Sequence, residues 1–378
     1  MTKYIDRLIT SKIEESVKFY PVITITGPRQ AGKSTLCRHL FSDYKYISME
    51  RIPVRTAAMQ DPEKFMDLLG DKVIIDEVQH VPDLLSEIQC RVDENPDNRY
   101  VLTGSSNFSL LKNVTQSLAG RTSLFTLLPF SEDETKAYCD ETETDTILYN
   151  GSYPGVLVKG IEASTFYANY YDTYVERDLR NLLNVSNIAA FDKFVHLLAL
   201  RVGTEFNATA MSREVGVSAV TISEWMSILE TSYIAFRLQP YYSNPGKRLT
   251  KTPKIYFYDT GLLSYLMNVD EASQMAKFPY RGQIFENYVV AEMMKKEANC
   301  CRRNRLYYYR EVQGVEIDIV RQVGADIDLY EVKSGKSYQS DFQKNMKSLS
   351  EKMPGVKSRT VIYDGTTMSS EIINFRDL

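Results

Sequence analysis

Apolar runs and polar breaks alternate through the first third of the chain. Short runs rich in β-branched and aromatic residues occupy positions 22–26, 44–48, 72–76, 100–103 and 122–128. Stretches with helical spacing separate most of them, around 33–42, 62–69 and 83–94. This alternation predicts an α/β unit, a parallel sheet with helices on both faces. Pro129 and the acidic stretch 131–145 follow the last run, and the unit is expected to end near residue 155, after Gly151-Ser152-Tyr153-Pro154-Gly155.

The pattern then changes. Residues 161–235 read as helical, with Phe166, Tyr170, Tyr174 and Leu182 recurring at roughly helical spacing. The tyrosines at 167, 170, 171 and 174 read as core and interface packing rather than a cofactor box. Residues 208–230 have the form of a helix-turn-helix: Ala208–Val215, a Gly216-Val217 turn, Ser218 as N-cap and a second helix to Glu230. Residues 236–258 resemble a two-stranded wing turning at Pro245-Gly246, so a winged helix is expected. A second α/β alternation follows: a helix at 284–297, strands at 306–310, 314–320 and 326–333, a helix at 341–352 and a strand at 359–363. Three domains are therefore expected, at 1–155, 156–275 and 276–378, as suits a chain of 378 residues.

Composition narrows the setting. With 43% hydrophobic and 25% charged residues the chain is an ordinary soluble sequence. No apolar run approaches the roughly 20 residues that span a bilayer, and the first residues lack a signal-peptide core, so a cytoplasmic protein without membrane contact is expected. The five cysteines (37, 90, 139, 300 and 301) form no Cys-x2-Cys pair and read as free thiols, and three histidines leave little for a histidine metal site. A net charge of −4 argues against strong non-specific DNA binding by the whole surface.

The most specific chemistry lies directly after the first apolar run. Gly27-Pro28-Arg29-Gln30-Ala31-Gly32-Lys33-Ser34-Thr35 is a Gly-x4-Gly-Lys-Ser loop between a strand and a helix, the setting a phosphate-binding loop requires. Its backbone N–H groups and the following helix suit phosphate oxygens, and Gly27 and Gly32 permit the turns. Lys33 is expected to reach the β- and γ-phosphates and Ser34 to ligate magnesium. A companion strand, Val73-Ile74-Ile75-Asp76-Glu77, ends in two acids. Asp76 suits the magnesium shell, and Glu77 suits the base or orienting group for an attacking water, which turns a binding site into a hydrolytic one. The strand at 100–103 runs into Gly104-Ser105-Ser106-Asn107, where Ser106 or Asn107, or else Ser105, is a candidate to sense the terminal phosphate; ordinary turn chemistry explains the same residues. Arg121 is a candidate for transition-state charge, in its own subunit or a neighbour's, against a plain surface arginine. Arg29 is either a further cation at the phosphates or an ion-pair partner at the loop.

Taken together, Gly27–Leu36, Val73–Gln79, Leu102–Ser106 and Leu118–Phe130 resemble the AAA-type (AAA+) P-loop ATPases of prokaryotes. Leu198–Gly203, Lys254–Leu263 and Arg281–Glu292 resemble the branch of those ATPases whose C-terminal half is a family of unknown function. The resemblance spans nearly the whole chain. It implies ATP and Mg2+ as ligands and ATP hydrolysis as the activity, and it brings no established biological role.

The second half is less pointed. From Glu214 to Phe236 there is no Lys or Arg, so the second helix of the helix-turn-helix is poorly suited to base edges. Phosphate contacts would fall to Lys247, Arg248, Lys251 and Lys254 in the wing. A packing or protein-interaction module is the better reading. Near the C-terminus, Glu316 and Asp318 share one strand face, as do Glu331 and Lys333, and Glu286 lies on the preceding helix. An Asp followed by Glu-x-Lys resembles the restriction-endonuclease-like core. That likeness implies a metal held by Asp318 and Glu331 and a Lys333 that orients water or stabilises the transition state. Three readings stay open: an ATPase coupled to this domain, an ATP-gated nuclease acting on DNA or RNA, and a nucleotide-switched module gripping a protein partner. An Arg121 acting in trans would require a homo-oligomer.

Overall fold

The computed structural model describes residues 4–378 apart from 106–113, 115, 116, 137, 139–141, 180–186, 243–251, 303, 304, 312 and 313. Strands β1 (Val22–Gly27), β2 (Lys45–Ser48), β3 (Lys72–Asp76), β4 (Arg99–Ser105) and β5 (Thr122–Thr126) form one sheet in the order β2-β3-β4-β1-β5. Every pairing in it is parallel. Alternate residues of each strand face opposite layers. Val73, Ile75, Tyr100 and Leu102 pack against the helices Pro62–Leu69 and Asp83–Glu94. Ile23, Ile25, Ile74 and Val101 pack against Thr10–Ser16 and Lys33–Leu40. Helices therefore cover both faces, the doubly wound α/β arrangement that the alternation predicts.

Local chemistry sets the helix bounds. Asp61 caps Pro62–Leu69 by accepting from the Lys64 N–H at 3.0 Å, with proline at the first helical position. Among the described residues before β5, two helices lie outside the sequence reading, Thr10–Ser16 and Ile52–Gln60. The first is a short amphipathic piece that buries Ile9 and Ile13, and the second carries Pro53 in its first turn.

In the middle region, Ala208–Val215 ends at Gly216 in the left-handed conformation. Ala219–Thr231 begins at Ser218, whose hydroxyl accepts from the Thr221 N–H at 3.0 Å. Strands β6 (Ala235–Leu238) and β7 (Lys254–Phe257) pair antiparallel, and the expected turn at Pro245-Gly246 lies outside the described residues, as does Leu182. Tyr167, Tyr170, Tyr171 and Tyr174 are buried in a core shared with Tyr153 and Phe166, which fits packing.

The C-terminal region is a mixed sheet of β8 (Leu306–Arg310), β9 (Glu316–Val323), β10 (Asp326–Lys333), β11 (Val356–Tyr363) and β12 (Ile372–Asn374), in the order β12-β11-β10-β9-β8. The pairs β8–β9 and β9–β10 are antiparallel; β10–β11 and β11–β12 are parallel. The long helix Arg281–Asn299 precedes it. The helix expected at 341–352 is a 3-10 turn, Ser340–Gln343, running into a shorter helix, Lys344–Ser350. No helix among the described residues is long and apolar enough to cross a membrane.

Candidate functional site

Strands β1 and β3 are neighbours of β4 and end on the same side of the sheet, so the loop after Gly27 meets the acids after Ile75. The loop conformation depends on its glycines. Gly27 has φ 145°, and a Cβ there would stand 2.1 Å from the Leu127 carbonyl oxygen. Gly32 has φ 99° and Gln30 φ 62°, so successive N–H groups turn into the loop's hollow.

Lys33 opens the helix and is buried. Its ammonium donates to the carbonyls of Gly27 at 2.9 Å and Pro28 at 2.8 Å. Burial lowers its pKa, and the nearby Glu77 and Asp76 charges oppose that shift. The Ser34 hydroxyl donates to Asp76 Oδ2 at 2.9 Å, Tyr46 donates to the same oxygen, and Thr103 donates to Oδ1. Asp76 thus keeps three neutral hydroxyl partners and no cationic one among the described side chains. A serine hydroxyl and a carboxylate oxygen side by side are the oxygen donors that magnesium takes. Glu77 has φ 56°, and its carboxylate accepts from the Ser105 N–H at 3.2 Å, the Ser105 hydroxyl at 3.3 Å and the Gln79 amide. Ser105 is therefore the described residue of β4 that meets Glu77; Ser106 and Asn107 lie outside the described residues.

The cleft above the loop holds about 500 Å³ and is lined by Arg29, Lys33, Ser34, Glu77, Pro154 and Lys159 among others. It shares Gly32, Thr35, Pro154 and Lys159 with a more apolar pocket of about 190 Å³ whose walls include Tyr4, Ile5, Leu36, Phe130 and Val158. Arg29 lies over the Tyr174 ring at 5.3 Å, at the edge of the cleft. Ala31 is buried, and its carbonyl accepts from Arg7 at 3.0 Å. Arg7 also bonds the Leu128 carbonyl at 2.6 Å and Glu134 at 3.0 Å. No motif in the sequence marks Arg7 as a contact of the loop.

Arg121 requires a correction. It precedes β5 beside Val22, at the N-terminal end of the sheet, roughly 16 Å of strand away from the loop that follows Gly27. Its guanidinium is paired with both oxygens of Asp93, at 2.6 and 2.8 Å. A role at its own subunit's phosphates is excluded by this placement.

The C-terminal acids do gather. Asp318, Glu331 and Glu286 interact electrostatically, and Lys333 bonds Glu331 at 2.6 Å. Asp318 accepts from the Val332 N–H at 2.8 Å. Burial, then the charge of Asp318, pushes Glu286 and Glu331 up to about 7, and burial also raises Asp318. The second oxygen of Glu331 is buried without a hydrogen-bond partner. The cluster also contains a residue expected elsewhere. Lys254, read as a phosphate-contacting wing residue, is 3% exposed and pairs with Glu316 at 2.5 Å and Glu286 at 3.6 Å. It is a core ammonium and not a surface contact; Lys247, Arg248 and Lys251 lie outside the described residues. Among the described residues no three His, Cys, Asp or Glu side chains are grouped to hold a metal, so Asp318 and Glu331 do not form part of such a set.

Buried polar contacts run from Arg7 to the long helix Arg281–Asn299. Glu134, bonded to Arg7, shares a helical turn with Glu132. The Glu132 N–H donates to Glu292 at 2.7 Å, and its carboxylate accepts from Tyr288 and Arg376. Lys295 donates to Glu292 at 2.6 Å, the Phe130 carbonyl at 2.8 Å and Ser152 at 2.9 Å.

The sequence pattern described as an AAA domain matches residues 20–136, the segment that builds the cleft. The N-terminal part is thus similar to AAA domains. Two patterns described only as domains of unknown function, DUF8612 and DUF4143, match residues 141–273 and 281–375. The chain is 28% identical over 327 residues to "Uncharacterized protein Rv2008c" of Mycobacterium tuberculosis, covering 85% of this chain and 72% of that protein. It is 24% identical over 329 residues to an uncharacterized protein of Haemophilus influenzae, with 78% of each chain covered. Among solved structures, the Walker-type ATPase PABY2304 of Pyrococcus abyssi aligns at 16% identity with a TM-score of 0.48, over 70% of this chain and 96% of that one, a likeness too low to assign a fold by itself.

Proposed function

We propose that the chain is a magnesium-dependent ATPase whose nucleotide state is reported to its C-terminal domain. The observation that carries this is the junction of β1 and β3, where Ser34 and Asp76 meet at 2.9 Å and Glu77 stands beside them on the same cleft. Magnesium, when bound, supplies charge neutralisation at the phosphates. Ser34 and Asp76 would hold it. Lys33 leaves the carbonyls of Gly27 and Pro28 for the phosphate oxygens, and the loop N–H groups cradle them. Glu77, held by Ser105 and Gln79, orients and deprotonates the attacking water. The adjoining apolar pocket of Tyr4, Leu36, Phe130 and Val158 receives the base. The path from Arg7 through Glu134, Glu132 and Glu292 is the physical connection to the helix Arg281–Asn299.

The test is ATP binding and turnover by wild type and Glu77→Gln. The variant is expected to bind ATP as tightly as wild type and to hydrolyse it at least about a hundredfold more slowly. Binding by both proteins with no turnover by either would reduce the site to a nucleotide switch.

A second reading is metal-dependent cleavage of DNA or RNA at Asp318, Glu331 and Lys333 on a restriction-endonuclease-like core. The buried, unpartnered oxygen of Glu331 favours it. Two observations weigh against it: the Lys254 ammonium already neutralises part of the cluster, and no three acids among the described residues are grouped to hold a metal. Labelled nucleic acid incubated with magnesium or manganese decides: cleavage by wild type that is lost in Asp318→Asn supports this reading, and cleavage that persists in the variant removes it. A winged helix built from the helix-turn-helix at 208–230 and the wing at 236–258, with no Lys or Arg from Glu214 to Phe236, serves here as a packing or partner-binding module.

A further inference from the structure

The phosphate cleft has a wall that does not belong to the sheet. Pro154, Gly155 and Lys159 close it from the segment after the AAA domain. This wall is anchored. The Ser152 N–H and hydroxyl both donate to Asp259, at 2.7 and 2.8 Å, and Ser152 also receives Lys295. Gly155 lies so close to Phe166 that a Cβ would stand 2.2 Å from its ring. The Lys159 N–H donates to the Pro154 carbonyl at 3.2 Å, which fixes the turn carrying the side chain.

The cations of the cleft differ in their commitments. Lys33 is held by two loop carbonyls and Arg29 lies over an aromatic ring. Lys159 is exposed, and its ammonium has no partner among the described residues, although it lines both the phosphate cleft and the apolar pocket beside it. An exposed ammonium at the junction of a base-sized pocket and a phosphate loop is placed to meet the polyphosphate of a nucleotide seated across both.

We propose that Lys159 is a nucleotide-binding residue: it contacts the polyphosphate from outside the sheet, so bound nucleotide bridges the AAA domain and the Ser152–Lys159 wall. This rests on the nucleotide reading of the cleft and adds a second, non-loop cation to it. The wall's attachment to Asp259 and Lys295 then gives the nucleotide a direct hold on both regions that follow the AAA domain.

The experiment is calorimetric titration of the full chain with the β,γ-imido analogue of ATP and magnesium, using wild type, Lys159→Met and Lys159→Arg. Loss of one charge-assisted contact is expected to weaken the methionine variant about tenfold or more, and the arginine variant is expected to stay within about threefold of wild type. Hydrogen exchange supplies a readout that a merely structural role would not move. The analogue is expected to protect the amides of 152–160 in wild type and not in Lys159→Met. Since Lys159 is exposed, both variants are expected to melt with wild type in the absence of nucleotide. Wild-type binding with an unchanged Lys159→Met affinity overturns the Lys159 role alone. Absence of binding by wild type overturns the nucleotide reading and this inference with it.

Discussion

The cleft after β1 and the acid cluster on β9 and β10 use the same residue types to opposite effect. In the cleft, Asp76 is held by the hydroxyls of Ser34, Tyr46 and Thr103, and Lys33 by two carbonyls. Their hydrogen-bond partners are neutral, and although the Glu77 and Asp76 charges act on Lys33, no ion pair among the described residues holds Lys33 or Asp76 away from a phosphate and its cation. In the acid cluster, Glu316 and Glu286 face Lys254, and Glu331 faces Lys333. The chain has supplied its own counter-ions there, and burial pushes the excess carboxylates toward the protonated form. A motif of acids and a lysine gains its meaning from what the side chains already touch.

The largest expected effect falls on the cleft. Lys33→Ala removes the ammonium that serves the phosphates and is expected to abolish measurable turnover, a loss of at least about a hundredfold in a phosphate-release assay. Retained turnover would remove the contrast between the two sites. Next comes the loop's support. Arg7→Met leaves the buried Glu134 with only the Leu8 and Ser131 N–H groups and no cation, and is expected to cost about 3 kcal/mol in denaturant unfolding. A cost near zero would mean that the polar path does not brace the loop.

The acid cluster is expected to show itself through pH. Glu286 has its pKa raised from 4.5 to about 7 in the folded chain. The folded state therefore holds a proton that the unfolded state releases first. Relative stability from this group is intact below pH 4.5, declines as pH rises toward 7 and stays lost above it. Glu286→Gln keeps an acceptor for Tyr256 and escapes the decline. Its advantage over wild type is expected to open between pH 5 and 8 to about 1–2 kcal/mol, read from paired melts. A gap independent of pH would show that the cluster is not charge-frustrated. The smallest effect belongs to Arg121→Ala, expected to leave ATP turnover within about twofold at every protein concentration, because the side chain serves Asp93 at the far end of the sheet. A concentration-dependent collapse would restore a role in trans.

Much of this was legible in the residues. The Gly27–Thr35 loop, the strand ending in Asp76-Glu77 and the parallel sheet follow from local pattern, because each is a short contiguous signal. The pair of helices at 208–231 was equally readable, since Gly216 and Ser218 mark their ends. What was not legible depends on which end of a strand a residue occupies and on what crosses from another region. Arg121 and the loop both flank strands, and only the register of β1 against β5 separates them. Lys254 sits among basic residues in the sequence but turns into the core to meet Glu316 on β9. Arg7 bonds the loop and Lys159 lines the cleft from outside the Gly27–Thr35 motif, and no spacing in the sequence announces either.

The central claim is that the chemistry resides in the cleft and not in the acid cluster. ATP turnover measured side by side for wild type, Glu77→Gln and Asp318→Asn tests it most directly. Turnover lost in Glu77→Gln and kept in Asp318→Asn is the predicted result; turnover kept in Glu77→Gln, or lost in Asp318→Asn alone, would contradict it.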